Sequence, residues 1–292
     1  MKPTFDIDAL RAVVAGTDLG SFARAAIQLG RSQSAISMQL KKLEQQAGTQ
    51  LFVRKGRGLV PTEAGEAFVA YARRIVALND EAALALGSTT TTAAVRLGLP
   101  QDFFDDVMPA TLKAFADAHD HVHVEVRAGE NHNLAEEVRT GRLDVAIAFF
   151  KSGANDEGEI LCELPMQWLA CEAYLQPLAE SPIPLVLFSH PCLFRQAALA
   201  TLEQEEKRWR AALTTPSLPG IWAALRSGLG VGVRTDHGRP DDIACVGPTL
   251  NLPALPPIEV RLLMAPNASP LAQDLSRVLR QETLARIGGT AR

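Results

Sequence analysis

The apolar residues between Ser21 and Gly48 recur every three or four positions, and this spacing is interrupted once, near Gly30. The pattern predicts two helices joined by a tight turn. Ser32 is a suitable N-cap for the second helix, and Gly48 is a suitable C-terminal stop. The apolar face of the second helix consists of Ile36, Leu40 and Leu43. Two such helices are typical of a helix-turn-helix, although an ordinary amphipathic surface helix produces the same pattern.

The opposite face of the second helix is polar. It carries Gln33, Ser34, Ser37, Met38 and Lys41. Amide, hydroxyl and ammonium groups read base edges or hold phosphates. Short apolar runs follow at 51–53 and 59–60, and the loop between them contains Arg54, Lys55 and Arg57. This predicts a two-stranded hairpin with a basic tip, which suits the DNA backbone or minor groove. A solvated basic loop is the alternative, but the position directly after a candidate recognition helix argues against it.

A long helix is predicted from Thr62, a suitable N-cap, to about Gly87. Its apolar residues alternate at intervals of four and three and are Ala64, Phe68, Tyr71, Ile75, Leu78, Ala82 and Ala85. That spacing is the heptad seam of a coiled coil rather than the wider stripe of a helix on a globular core. We therefore expect the helix to pair with its own copy and to carry two recognition helices to a two-fold symmetric DNA site. Packing of the seam on the C-terminal domain of the same chain is the alternative.

The C-terminal part alternates short apolar strands with helices, which predicts an α/β fold. Its first helix is expected at Phe103 to His119, and a strand is expected at Leu164 to Ala170. The chain is expected to return to the first lobe through Ile258 to Met264, with crossings between the two lobes near Pro165 and Ala265. The cleft between the lobes is the candidate ligand site. The predicted divisions are residues 1–61 for the head, 62–87 for the linker helix, 88–94 for the hinge, 95–164 and 265–292 for lobe I, and 165–264 for lobe II.

The charge of the chain is unevenly distributed. Residues 1–60 carry nine Lys and Arg against four Asp and Glu, a net charge of +5, and the remaining 232 residues carry −9. A basic head on an acidic body is expected where only the head meets DNA. The chain has no apolar run near the ~18 residues of a membrane span and no apolar signal core at its N-terminus. We therefore expect a soluble, cytoplasmic protein without a membrane partner.

Seven segments stand in an order and at a spacing shared with one known family. They are Phe5 to Arg11, Gly20 to Phe22, Ala25-Ala26, Ser32 to Ser37, Leu43-Glu44, Leu51 to Arg54 and Thr62 to Gly65. They resemble the LysR-type transcriptional regulators. Farther along, Pro184 to Phe188, Phe194-Arg195 and Gly228 to Val233 are similar to the LrhA/HexA/PecT branch of that family. The resemblance implies an all-α winged helix-turn-helix, a linker helix and a two-lobed effector-binding domain like a periplasmic binding protein, assembled as dimers or tetramers.

The resemblance and the residue pattern together nominate two sets of residues in the N-terminal part. The candidate DNA-binding residues are Arg31, Ser32, Gln33, Ser34, Ser37, Met38, Lys41, Arg54, Lys55, Arg57 and Thr62. The candidate dimerisation residues are Phe68, Tyr71, Ile75, Leu78, Ala82 and Ala85. By match to the family, Gln33, Ser34, Ser37 and Met38 would face the major groove. Many relatives have arginine at the position of Met38.

Strand-to-helix turns are expected to face the cleft. The candidate effector-binding residues are Gln101, Asp102, Asn131, His132, Asn133, Phe149, Ser217 and Leu218. Helix N-termini offer free N–H groups, which in many LysR-type relatives hold a carboxylate. In this chain Asp102 and Glu130 put negative charge near two such ends. Either these acids cap their own helices, or they disfavour an anionic ligand. The hypothesis is a small polar effector of unknown identity that is not a simple aromatic carboxylate.

Other chemistry has little support in the sequence. The cysteines Cys162, Cys171, Cys192 and Cys245 form no CxxC pair. We expect buried thiols, with a redox switch between two of them as the alternative. The HDHVH segment at 119–123 lacks a closed ligand set, so a solvated strand edge is favoured over a metal site. The glycines at 228–232 precede a strand rather than a helix, and the chain contains no GxSxG elbow and no P-loop, so neither a cofactor nor an enzymatic function is indicated.

Two functions stay open beside a ligand-responsive DNA-binding regulator. One is a regulator that binds DNA constitutively and has no ligand. The other is a small-molecule-binding protein or enzyme whose basic head recognises something other than DNA. RNA polymerase is a candidate further partner of a regulator.

Overall fold

The N-terminal head is built on three helices, α1 (Ile7–Asp18), α2 (Phe22–Gln28) and α3 (Gln33–Ala47). The computed structural model describes residues 4–55, 58–85, 93–119, 122–129, 131–154, 157–171, 182–266 and 268–287. Each helix begins after a side chain that accepts backbone N–H groups, and these caps are Asp6, Ser21 and Ser32. Gly48 ends α3 with φ +69°, a left-handed conformation that glycine adopts without strain. The predicted cap and stop of the second helix are therefore confirmed.

A hairpin follows α3, as the sequence predicts. Its strands β1 (Phe52–Lys55) and β2 (Gly58–Pro61) are antiparallel. The Glu44 carboxylate on α3 accepts hydrogen bonds from the backbone N–H groups of Leu51, at 2.9 Å, and Phe52, at 3.0 Å. The hairpin therefore has a fixed position relative to α3.

The linker helix α4 (Glu63–Ala85) packs against α1. Val69 and Ala72 are buried in the head core. The guanidinium of Arg73, also buried, lies 2.5 Å from the Asp18 carboxylate on α1. Arg11 on α1 pairs with Asp80 near the other end of α4. One face of the linker helix is thus joined to its own head by apolar contacts and by two ion pairs.

The rest of the chain alternates strands and helices. In order they are β3 (Ala93–Leu99), a 3-10 turn (Gln101–Phe103), α5 (Val107–Ala118), β4 (Val122–Ala128), α6 (Asn131–Arg139), β5 (Val145–Lys151), β6 (Glu159–Ala170), β7 (Ile183–Phe188), α7 (Leu193–Gln204), β8 (Trp209–Thr215), α8 (Leu218–Arg226), β9 (Gly232–Thr235), β10 (Ala244–Cys245), β11 (Pro257–Met264) and α9 (Pro270–Ile287). None of the described helices is both long enough and apolar enough to span a membrane.

The first lobe is a sheet in the order β4-β3-β5-β11-β6, with α5 and α9 packed together beside it. Strand β3 is parallel to β4 and β5, whereas β11 is antiparallel to β5. Phe103, Phe115 and Phe149 are fully or almost fully buried in its core. Strand β5 is buried along most of its length, which explains why its sequence is a continuous apolar run.

The second lobe grows from the end of β6. The first half of β6 pairs with β11, and its second half, from Met166, pairs with β9 and β10. Strands β7 and β8 are parallel, and β7 is joined to Val231 beside β9 by backbone hydrogen bonds. Helices α7 and α8 pack on these strands. The strand β6 is therefore shared by both lobes, and it changes partners after Pro165.

Four predicted boundaries differ from the structure. The second crossing lies before β11 rather than near Ala265, because β11 pairs with β5 of the first lobe from Ile258 to Met264. An apolar strand looks the same in sequence whichever lobe buries it. The helix predicted from Phe103 begins at Val107, where the Asp106 side chain accepts the Val107 N–H at 2.6 Å. The strand predicted from Leu164 begins earlier, at Glu159. In the predicted hinge, residues 93–94 belong to β3, and residues 88–92 lie outside the described chain.

Candidate nucleic-acid interface and ligand cleft

The polar face of α3 lies in solvent. Its exposed residues are Gln33, Ser34, Ser37, Met38 and Lys41. Met38 has 69% of its surface exposed although it is apolar, whereas Ile36 and Leu43 on the opposite face are buried. The apolar side therefore fixes the rotation of α3, and the predicted reading face points away from the head.

Three predicted DNA-binding residues near the helix ends have partners within the head. The Ser32 hydroxyl accepts the Ala35 N–H at 3.2 Å and caps α3. Arg31 lies 3.4 Å from Asp8, and both side chains are more than half exposed, so this ion pair is weak. The Thr62 hydroxyl donates to the Gln50 carbonyl at 2.9 Å and accepts a backbone N–H of α4. Ser32 and Thr62 thus have structural roles that are visible without DNA.

The hairpin presents its cations to solvent. Arg54 and Lys55 are exposed on β1, the strand that follows α3 in the chain. The third predicted cation, Arg57, lies outside the described residues. The Glu44 carboxylate ties the start of the strand that carries these cations to α3.

The predicted seam of α4 is exposed over its middle section. Tyr71, Ile75 and Leu78 have 61%, 43% and 66% of their surfaces exposed. Phe68 differs, because it is half-buried and its ring meets Phe5 edge-on with centroids 5.1 Å apart. Ala82 is exposed, and the side chain of Ala85 lies outside the described residues. In the part of the chain that the structure describes, these three large residues stay exposed, which argues against packing of the seam on its own C-terminal domain.

A cleft of about 230 Å³ lies where the two lobes meet. It is lined by Pro100, Gln101, Asp102, Ala128, Gly129, Phe149, Phe188, Pro191, Cys192, Pro216 and Arg234. Three of the predicted effector residues are in this set, namely Gln101, Asp102 and Phe149. Most of the lining residues lie at or just beyond the carboxyl ends of β3, β4, β5, β7, β8 and β9. The cleft therefore lies at strand ends, as expected for an open α/β sheet.

Asp102 of the first lobe faces Arg234 on β9 of the second. Their charged atoms are 3.8 Å apart, and the side chains are only 6% and 7% exposed. The Arg234 guanidinium also lies over the rings of Phe188, at 4.7 Å, and Phe194, at 4.6 Å. The sequence prediction missed Arg234, which sits within a strand beyond the glycines at 228–232 rather than in a strand-to-helix turn. Asp102 does not cap a helix, so that explanation of its charge is wrong.

Gln101 connects the two lobes through the N-terminus of α8. Its side-chain oxygen accepts the Leu218 N–H at 2.7 Å, and its side-chain nitrogen lies 3.4 Å from the Pro216 carbonyl. The Ser217 hydroxyl accepts the Gly220 N–H and caps the same helix. The predicted residues Ser217 and Leu218 therefore lie at the cleft edge, where their groups are already hydrogen-bonded within the protein.

The segment before α6 contributes two residues to the cleft that the sequence analysis did not name. Ala128 and Gly129 line the cleft, whereas Asn133 is exposed and does not. The side chains of Asn131 and His132 and the whole of Glu130 lie outside the described residues. Asn131 and His132 therefore remain predictions, whereas Asn133 does not line the cleft.

The cysteines and the described histidines are the remaining candidates for redox or metal chemistry. Cys245 is exposed and the other three cysteines are half-buried, so the expectation of buried thiols is wrong for Cys245. Burial raises the pKa of Cys162, and burial followed by the nearby Asp236 carboxylate raises that of Cys245, which disfavours the reactive thiolate. His123 is exposed on the edge strand β4, and His121 lies outside the described residues. Among the described residues no three His, Cys, Asp or Glu side chains gather closely enough to hold a metal ion.

A helix-turn-helix with a basic wing, a linker helix with an exposed seam and a two-lobed domain with an interlobe cleft together define a ligand-binding DNA regulator as the class of protein. The profile described as "Bacterial regulatory helix-turn-helix protein, lysR family" matches residues 7–66, and "LysR substrate binding domain" matches residues 89–284. The chain belongs to the LysR family of DNA-binding transcriptional regulators.

Individual relatives agree with this assignment. The HTH-type transcriptional regulator DgdR of Burkholderia cepacia is 34% identical over 260 residues, which cover 89% of this chain and 87% of that protein. The regulator PecT of Dickeya dadantii (strain 3937) is 31% identical over 263 residues, covering 90% and 82%, in line with the predicted branch. The crystal structure of ArgP from Mycobacterium tuberculosis shares the fold, with a TM-score of 0.71 and 21% identity over 96% of this chain and 97% of that one.

Proposed function

We propose that this regulator binds duplex DNA by placing α3 in the major groove and the hairpin on the adjacent backbone. The observation that carries the proposal is the exposed polar face of α3 beside the exposed cations Arg54 and Lys55. Gln33, Ser34, Ser37 and Met38 would contact base edges, while Lys41 and the hairpin cations would contact phosphates. Arg31, Arg57 and Thr62 belong to the same proposed interface, and Thr62 would act mainly as the cap of α4.

We infer that two copies pair through α4. The exposed side chains of Tyr71, Ile75 and Leu78 support this inference, because their heptad spacing gives a continuous apolar strip. Phe68, Ala82 and Ala85 would extend the strip at its ends. Such a dimer, alone or within a tetramer, carries two reading helices, so its DNA site would be two-fold symmetric.

The effector would bind in the cleft between the lobes, lined by Gln101, Asp102 and Phe149 among others. Because Gln101 and Asp102 reach across to the second lobe, a ligand that contacts them would shift the relative position of the lobes. Asn131, His132 and Asn133 remain candidates at the cleft rim, with Ser217 and Leu218 on the opposite side. The protein would act in the cytoplasm and without enzymatic activity, and RNA polymerase is a candidate partner at a promoter.

The test uses duplexes selected by the full-length protein from a random library. Arg54→Ala should lower the slope of log affinity against log salt by about 0.9, because one phosphate contact and its released counterions are lost. Lys113→Ala is the matched control, since Lys113 is an exposed cation on α5, far along the chain from the head. An unchanged slope for Arg54→Ala would remove this residue from the interface, and failure of the wild-type protein to select any duplex would overturn the proposed function.

A further inference from the structure

Asp102 and Arg234 are the two oppositely charged side chains in the described lining of the cleft. One is contributed by each lobe, and both are more than nine-tenths buried. Ions are taken out of water only at a large cost in free energy, which is offset when close partners satisfy their hydrogen-bonding groups. The formal charge of this lining is therefore zero, with a negative group at Asp102 and a positive group at Arg234.

Asp102 and Arg234 do not form a direct hydrogen bond with each other. Their separation of 3.8 Å exceeds the ~2.7–2.9 Å of a direct charge-assisted hydrogen bond. Within the described part of the chain, neither the Asp102 carboxylate nor the Arg234 guanidinium has a hydrogen-bond partner. The Arg234 guanidinium instead lies over the rings of Phe188 and Phe194. The two side chains thus leave acceptors and donors directed at the space that they line.

We propose that the effector is a small zwitterion with its ammonium and carboxylate groups on one carbon, the arrangement in a free α-amino acid. This inference rests on the proposed function of the cleft. The carboxylate of the ligand binds Arg234 and its ammonium binds Asp102, so that opposite charges alternate around the four groups. A simple anion would bind Arg234 but would face the Asp102 carboxylate, and a simple cation would face Arg234.

The remaining walls define the size and polarity of the rest of the ligand. The cleft volume of about 230 Å³ lies below the ~300–1,000 Å³ typical of sites for drug-sized molecules. Phe149, Phe188 and the prolines of the lining offer apolar surface. The amide of Gln101 is already engaged with the second lobe through Leu218. A short apolar side chain therefore fits this surface better than a second charged group.

The first experiment uses the wild-type full-length protein and needs no variant. Binding of alanine, valine, leucine, methionine and phenylalanine is measured by calorimetry and by thermal shift. Each amino acid is compared with its N-acetyl derivative, which lacks the ammonium, and with its amide, which lacks the carboxylate. At least one amino acid should bind saturably, and both of its derivatives should bind at least tenfold more weakly. A derivative that binds as tightly as its parent, or binding by none of the five, would overturn the proposal.

A second experiment assigns the two charges to residues. In Asp102→Asn, an amino acid should lose its advantage over its N-acetyl derivative, and in Arg234→Gln it should lose its advantage over its amide. Exposed residues provide the matched controls Asp105→Asn and Arg210→Gln, which should keep both advantages. Thermal unfolding verifies that each variant is folded. If a variant does not fold, the wild-type series decides alone. Equal weakening of parent and derivative would mean that the residue is only structural.

Binding of selected duplex DNA by the wild-type protein separates this inference from the proposed function. Selection of two-fold symmetric duplexes without binding of any amino acid would overturn the zwitterion and leave a DNA-binding regulator, including a constitutive one. Amino-acid binding without duplex binding would support the zwitterion and overturn the proposed function of the head.

Discussion

Arg54 and Lys55 in the head point into solvent, whereas Arg234 in the cleft is 7% exposed and lies beside Asp102. The head thus has cations available to a large polyanion, whose condensed counterions are released on binding. The cleft instead surrounds its charges with protein, where each is sensitive to the sign and position of a small ligand. Surface charge in this chain suits a partner recognised over a wide area, and buried charge suits a partner recognised by a few groups.

Of the substitutions that test this difference between head and cleft, Asp102→Ala is expected to have the largest effect. The substitution leaves Arg234 buried without its carboxylate, so the effector domain should lose about 3–5 kcal/mol of unfolding free energy. Urea unfolding of the full-length protein measures the loss. Asp105→Ala removes an exposed carboxylate from the same segment and should change stability by less than about 0.5 kcal/mol. Equal losses in the two variants would mean that the buried pair has no special contribution.

The second largest effect concerns the seam of α4. Leu78→Glu should leave the unfolding free energy of a single chain within about 0.5 kcal/mol of the wild-type value, because Leu78 is 66% exposed there. It should raise the dissociation constant of the dimer at least tenfold, because pairing would bury a carboxylate. Sedimentation equilibrium measures the constant. Ala77→Glu, at an exposed position beside the seam, should have little effect. An unchanged dimer in Leu78→Glu would show that the seam is not the interface.

The smallest effect is expected at the reading face. Gln33→Ala should reduce discrimination between the preferred and a substituted base pair by about 1–3 kcal/mol while it leaves the salt dependence unchanged. Affinities for a selected duplex and its single-base variants provide the measurement. Gln45→Ala, an exposed glutamine farther along α3, should retain the discrimination. A uniform loss across all duplexes would instead indicate a phosphate contact for Gln33.

The head and the cleft also differ in how far they could be predicted from the sequence. The head could be predicted because its signals are local: Ser32, Gly48 and the apolar face of α3 lie within one short segment. The order of strands and helices in the lobes also followed from local patterns. The partner of Asp102 did not, because Arg234 is distant in the chain and only the folding of β9 against β6 brings it to the cleft.

The boundary errors have a related physical cause. Apolar periodicity reports that a segment is buried but not which sheet buries it. The return to the first lobe through Ile258 to Met264 was expected, but the crossing was placed at the end of this strand, near Ala265, instead of before it. The start of α5 was missed because Phe103 stands four residues before Val107, which is helical spacing, and both are buried in the same core. The cap at Asp106 marks the true start, and aspartate before a helix is a signal that the sequence did contain.

The two hydrogen bonds from Leu51 and Phe52 to the Glu44 carboxylate also constrain how this regulator can change over generations. They tie the start of the hairpin to α3. The spacing between the proposed groove contacts and backbone contacts would therefore be retained when exposed side chains change. With α3 in the major groove as proposed, exchange of an exposed side chain such as Met38 would change the contacts with bases and leave the core intact. A substitution of Glu44 would instead alter the position of the hairpin relative to α3, and so affect both proposed contact regions together.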